Sequence, residues 1–151
     1  MTTGYAPPSM YRSREGMGVW EHRGKVAAVG VGHSPTERRW DENPETSVGA
    51  WSIMALRNAM ADAGVRPNQV DGLVIVPQTT TGAFWPEDKA LPQDVIEAFV
   101  QTDDPLDGIA KLSVDWLLKN MPELTGINYS LYAPVCMSNA LNVAAQVVGD
   151  G

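Results

Sequence analysis

Two short apolar runs with a capped amphipathic segment between them constrain the fold more than any other feature of this chain. Residues 25–32 (Lys-Val-Ala-Ala-Val-Gly-Val-Gly) and 73–76 (Leu-Val-Ile-Val) lack the alternation that marks a strand with one wet face. Strands of that kind pair in parallel and are covered on both faces. Parallel pairing needs a crossover, usually a helix. Residues 48–63 supply one. Ser47 can cap its start and Gly64 its end. Val48, Trp51, Ala55, Ala59 and Ala63 recur at spacings of three and four, with Leu56 and Met60 widening the stripe.

The remaining segments extend the same alternation. Residues 77–91 read as a long loop containing Phe84 and Trp85, and residues 92–100 as a short helix. Ile109, Leu112 and Trp116, supported by Leu117, predict a helix that ends before Pro122. Residues 127–135 supply a third strand. A last helix over 138–148 presents Leu141, Ala144, Ala145 and Val148 on one face, and residues 149–151 read as a turn. The order β-α-β-(α-α)-β-α is that of a doubly wound α/β domain. Residues 1–24 show no sustained period and form an irregular arm, leaving 25–151 as the domain. A strand expected after the last helix would come from another chain or a longer architecture.

Composition narrows the function classes. The chain has 151 residues, 44% of them hydrophobic and 19% charged, which are globular values. A net charge of -7, with no basic patch denser than Arg38-Arg39, argues against nucleic acid as a partner. No apolar run reaches the ~20 residues of a membrane helix, so no membrane partner is expected. A single cysteine leaves no internal disulfide, so a reducing cytoplasm is the default. The two histidines, His22 and His33, do not make a metal site.

Gly30-Val31-Gly32 invites a dinucleotide-binding reading, but Pro35 holds the place of the third glycine and the next helix starts well downstream. The two glycines are better read as permitting a tight strand exit. His33 and Ser34 follow at the carboxyl end of the first strand, either lining a ligand pocket or simply solvated. Cys136 sits where the third strand gives way to the last helix. The first turn of a helix offers unpaired N–H groups and the positive end of its dipole, which favour a thiolate over a thiol. Two readings stand side by side: a small buried hydrophobe or a nucleophile towards a carbonyl. Ser138 or Asn139 could cap the helix beside it.

Taken in order, residues 25–35 (Lys-Val-Ala-Ala-Val-Gly-Val-Gly-His-Ser-Pro), residues 55–76 and residues 136–148, which open on Cys136-Met137-Ser138-Asn139-Ala140, resemble the N-terminal half of the thiolase superfamily. The style is closest to the sterol-carrier and lipid-transfer branch, which holds both thiolases and acyl-CoA retro-aldolases. The resemblance implies a three-layer thiolase-like α/β fold with a mostly parallel sheet, of which this chain covers one incomplete N-terminal half. It implies that Cys136 takes an acyl group from a coenzyme A thioester, with His33, Ser34, Met137, Ser138 and Asn139 on the substrate side. It implies no permanently bound cofactor, with the coenzyme A thioester as substrate. A second half would supply histidines for proton transfer and oxyanion binding. Residues 127–135 would meet another subunit in a homo- or hetero-oligomer. The retro-aldolase relatives imply an OB-fold companion subunit, and a non-catalytic assembly role is the remaining alternative. Met137 and Asn139 stand where thiolases usually carry alanine and glycine.

Overall fold

The computed structural model describes residues 22, 24–37, 40–76, 89–133 and 137–151. Their order is helix α1 (Val48–Ala63), strand β1 (Gly72–Ile75), helices α2 (Gln93–Ala98) and α3 (Val114–Asn120), strand β2 (Tyr129–Tyr132) and helix α4 (Met137–Asp150). β1 and β2 pair in parallel, with Gly72 opposite Tyr129 and Ile75 opposite Tyr132. Among the described residues the fold is therefore α/β, with one small parallel sheet. Most of the expected loop around Phe84 and Trp85, most of the N-terminal arm, and Cys136 lie outside the described residues.

α1 forms between the caps that the sequence provides. Ser47 is extended and fully buried, and its hydroxyl accepts the Ala50 N–H at 3.2 Å. Gly64 takes the left-handed φ of 65° that closes the helix without a Cβ penalty. The buried side of α1 is Gly49, Ile53 and Met60, with Leu56 packed beside them. The expected line of Trp51, Ala55, Ala59 and Ala63 is only half-buried.

That alanine line has another use, which corrects the reading of residues 25–32. They carry no strand structure, and Val29 and Val31 are exposed. The Val31 N–H donates to the Asp62 carboxylate at 2.9 Å instead of to a neighbouring strand. Gly30 and Gly32 lie against α1 so closely that a Cβ on Gly30 would sit 2.5 Å from the Ala59 carbonyl oxygen, and one on Gly32 would overlap that of Ala55. The glycines serve close approach to a helix, not a strand exit. β1 consequently pairs with β2, and the expected cover on both faces is missing along β2, whose four residues are all exposed.

The core lies between α1, β1 and α3. Ile53 and Met60, Leu73, Leu112, Val114, Trp116 and Leu117, and Met121 and Leu124 form one cluster. Trp116 and Met121 are fully buried, and Phe99 packs on Trp116 with ring centroids 5.1 Å apart. α3 is shorter than its stripe predicts. Ser113 caps it by accepting the Trp116 N–H at 3.0 Å, which leaves Ile109 and Leu112 buried in the turns before it.

α4 packs against β1, but on a different side from the one expected. Ala140 is buried and Ala144 and Ala145 are half-buried, whereas Leu141 and Val148 are 64% and 67% exposed. The alanines allow the helix backbone to come close, and this turns the larger side chains outward. The expected turn at 149–151 is also corrected, since the helix runs on through Asp150.

Candidate functional site

In the sequence, the connection to α4 follows the carboxyl end of β2 in the parallel pair. β2 ends at Tyr132 and α4 starts at Met137, so Cys136 is the residue immediately before a 14-residue helix. No acidic or basic residue stands in the first turn of α4, so no side-chain charge there offsets the positive end of the helix dipole. Ser138 and Asn139 occupy that turn and are exposed. Cys136 itself and the Met137 side chain lie outside the described residues.

His33 and Ser34 rest on a different support. The His33 carbonyl accepts the Asn58 side-chain amide at 3.0 Å, which ties this stretch to α1. The His33 residue is exposed and Ser34 is half-buried. Of the candidates, His33 is tied through its backbone to α1, and Ser138 and Asn139 belong to α4.

The structure adds a polar centre that sequence reasoning missed. Asp107 is 2% exposed. One carboxylate oxygen accepts the Ser113 N–H at 2.7 Å; the other accepts the Thr102 hydroxyl at 2.9 Å and the Ser113 hydroxyl. Charge-assisted bonds of this kind are what make a buried carboxylate tolerable. Beside it, Lys111 pairs with Asp104. The Lys111 ammonium, hydrogen-bonded to Asp104 and aided by the Leu106 N–H, holds that carboxyl below its ordinary range. Burial opposes the shift. An Asp-Gly pair such as 107–108 is in general a turn signal, and the partners at 102 and 113 follow no helical or strand period, so spacing does not locate this centre.

An open cleft of about 420 Å³ adjoins this centre, lined by Thr102, Asp104, Asp107, Lys111, Ser113 and Tyr132 among others. Tyr132 is the last residue of β2, and its hydroxyl accepts the Val114 N–H at 3.0 Å, joining the sheet to the start of α3. A second cleft of about 560 Å³ is lined by Ile53, Met54, Arg57 and Phe99 among others. The Arg57 guanidinium is paired with Glu123 at 2.8 Å. Arg57 donates to the Glu123 carboxyl and holds it below its ordinary range.

Among the described residues no group of three or more His, Cys, Asp or Glu side chains is arranged to hold a metal ion. No helix among them is long and apolar enough to cross a membrane. Comparisons with protein families, with curated proteins and with solved structures find no match to this chain.

Proposed function

We propose that this chain is part of a thiolase-like acyl-CoA enzyme that makes or cleaves a C–C bond through a thioester on Cys136. One observation supports the reading: in the sequence Cys136 directly precedes α4 and follows β2, a strand of a parallel pair, and open α/β sheets bind their ligands outside the carboxyl ends of their strands. The cleft at Tyr132 lies at the same end of β2.

In this reading the Cys136 thiolate attacks the acyl carbonyl, the coenzyme A sulfur leaves and takes up a proton, and the acyl group stays on the protein as a thioester. The first turn of α4 stabilises the thiolate. Ser138 and Asn139 flank the acyl group from that turn, with Met137 between them and the nucleophile, while His33 and Ser34 approach from the segment on α1. A second half, on a continuation of the chain or on a partner, supplies the histidines for proton transfer. The coenzyme A thioester is a substrate and not a resident cofactor. Exposure of Tyr129, Leu131 and Tyr132 along β2 favours a subunit contact there, in a homo- or hetero-oligomer. A reducing, cytoplasmic setting suits a single nucleophilic thiol.

Alkylation of the cysteine tests the reading. An unperturbed thiol has a pKa near ~8.5 and is a few per cent thiolate at neutral pH. Iodoacetamide is expected to label Cys136 at pH 7 about tenfold faster in the folded chain than in the same chain unfolded in urea, with intact mass as the readout. A folded-state rate at or below the unfolded one removes the nucleophile, and the reading with it.

A further inference from the structure

His22 and residues 24–37 make contact with two helices, and residues 24–37 bury little of their own apolar surface. At one end, the Val31 N–H bonds Asp62 at 2.9 Å and the His33 carbonyl accepts Asn58 at 3.0 Å, both on α1. At the other end, the His22 side chain is 13% exposed and its Nε2 lies 2.8 Å from an Asp150 carboxylate oxygen at the end of α4. The ring is pressed onto Gly149, where any Cβ would overlap its Cγ. Lys25 turns back on this anchor, its N–H donating to the His22 carbonyl at 2.9 Å. Along the stretch Val29 and Val31 are 69% and 62% exposed.

A stretch with few buried apolar contacts opens locally at low free energy, and moving elements are drawn from that end of the stability range. A packed strand would bury its valines. Among the described residues, the contacts that hold it include the hydrogen bonds at His22, Val31 and His33 and the close approach that Gly30 and Gly32 permit to α1.

We propose that this stretch is a releasable strap tying α4 to α1, with the seat of His22 on Gly149 and Asp150 as its buckle. The buckle depends on shape as much as on the hydrogen bond, since only glycine leaves room for the imidazole at 149. Releasing it frees the strap from α4 and loosens the backbone that carries His33, while α1 keeps its own caps and core contacts.

Limited trypsin digestion of the full chain tests this, because Lys25 lies in the strap and Arg57 in the middle of α1. When reclosing outpaces cleavage, the rate follows the population of the open form. Gly149→Val, far from either cleavage site in sequence, is expected to speed cleavage after Lys25 by about tenfold or more and to leave cleavage after Arg57 unchanged. His22→Ala is expected to do the same. Unchanged cleavage after Lys25 in both variants overturns the proposal, because the buckle then holds nothing. Equal acceleration at Lys25 and Arg57 also overturns it, because the contact then belongs to the global fold.

Discussion

At the scale of single residues, Asp107 shows how a charge can be buried at a bearable cost. Three donors converge on its carboxylate, and two of them come from Ser113, which also caps α3. Removing the acceptor strands the Ser113 amide and leaves two hydroxyls to find new partners. Asp107→Ala is therefore expected to destabilise the fold by about 2–4 kcal/mol, and Asp107→Asn, which keeps one oxygen, by roughly half as much. The urea midpoint at constant m-value measures both. Residues with a local role were legible from the sequence. Ser47 and Gly64 act on their own helix ends, so spacing alone located them. Asp107 was not legible, because its partners are assembled by turns and a turn leaves no period to read. Of the candidate site, the position of Cys136 before a helix was legible, and so was the exposure of a loop histidine at 33. The attachment of that histidine to α1 was not, since it runs through a backbone carbonyl.

Elements reveal a contest between intrinsic preference and packing. Gly49 lies inside α1, where alanine would be favoured by about 1 kcal/mol. A Cβ there, however, would overlap the Trp116 indole of α3, and overpacking a full core costs about 1–3 kcal/mol. Packing wins, so Gly49→Ala is expected to lower stability by about 1 kcal/mol overall while raising the helical tendency of an isolated α1 peptide. Thermal melts of the chain and circular dichroism of the peptide check the two halves separately. The same contest explains which elements were misread. Residues 25–32 have the composition of a buried strand, yet their glycines bring the backbone against the alanines of α1 and leave the valines outside. In α4 the four apolar residues share a helical face by spacing, but the small ones go inward and Leu141 and Val148 outward. Spacing says which residues share a face. It does not say which face a neighbour has room for.

At the scale of the whole molecule, three carboxyls among the described residues are held below their ordinary range: Glu123 by Arg57, Asp104 by Lys111, and Asp41 by the Thr46 hydroxyl. A carboxyl depressed in the folded state adds stability above its unfolded pKa, about 4, and loses it as pH falls through the folded value. The urea midpoint is expected to stay level from pH 8 to about pH 5 and to decline below about pH 4. Combining Asp104→Asn with Glu123→Gln is expected to flatten that decline slightly, because partly exposed pairs are worth at most about 1 kcal/mol each. An unchanged acid slope in the double variant would mean that other groups dominate. The overall α/β order was legible because helix and strand periods differ, but the partner of β1 was not, because pairing across a long separation leaves no local trace. That separation also sets an order in time. Gly72 waits for Tyr129 and Ile75 for Tyr132, and closing so long a loop is slow compared with winding a capped helix. During synthesis α1 can form as soon as Gly64 clears the ribosome, whereas this two-stranded sheet has to wait until Tyr132 has emerged.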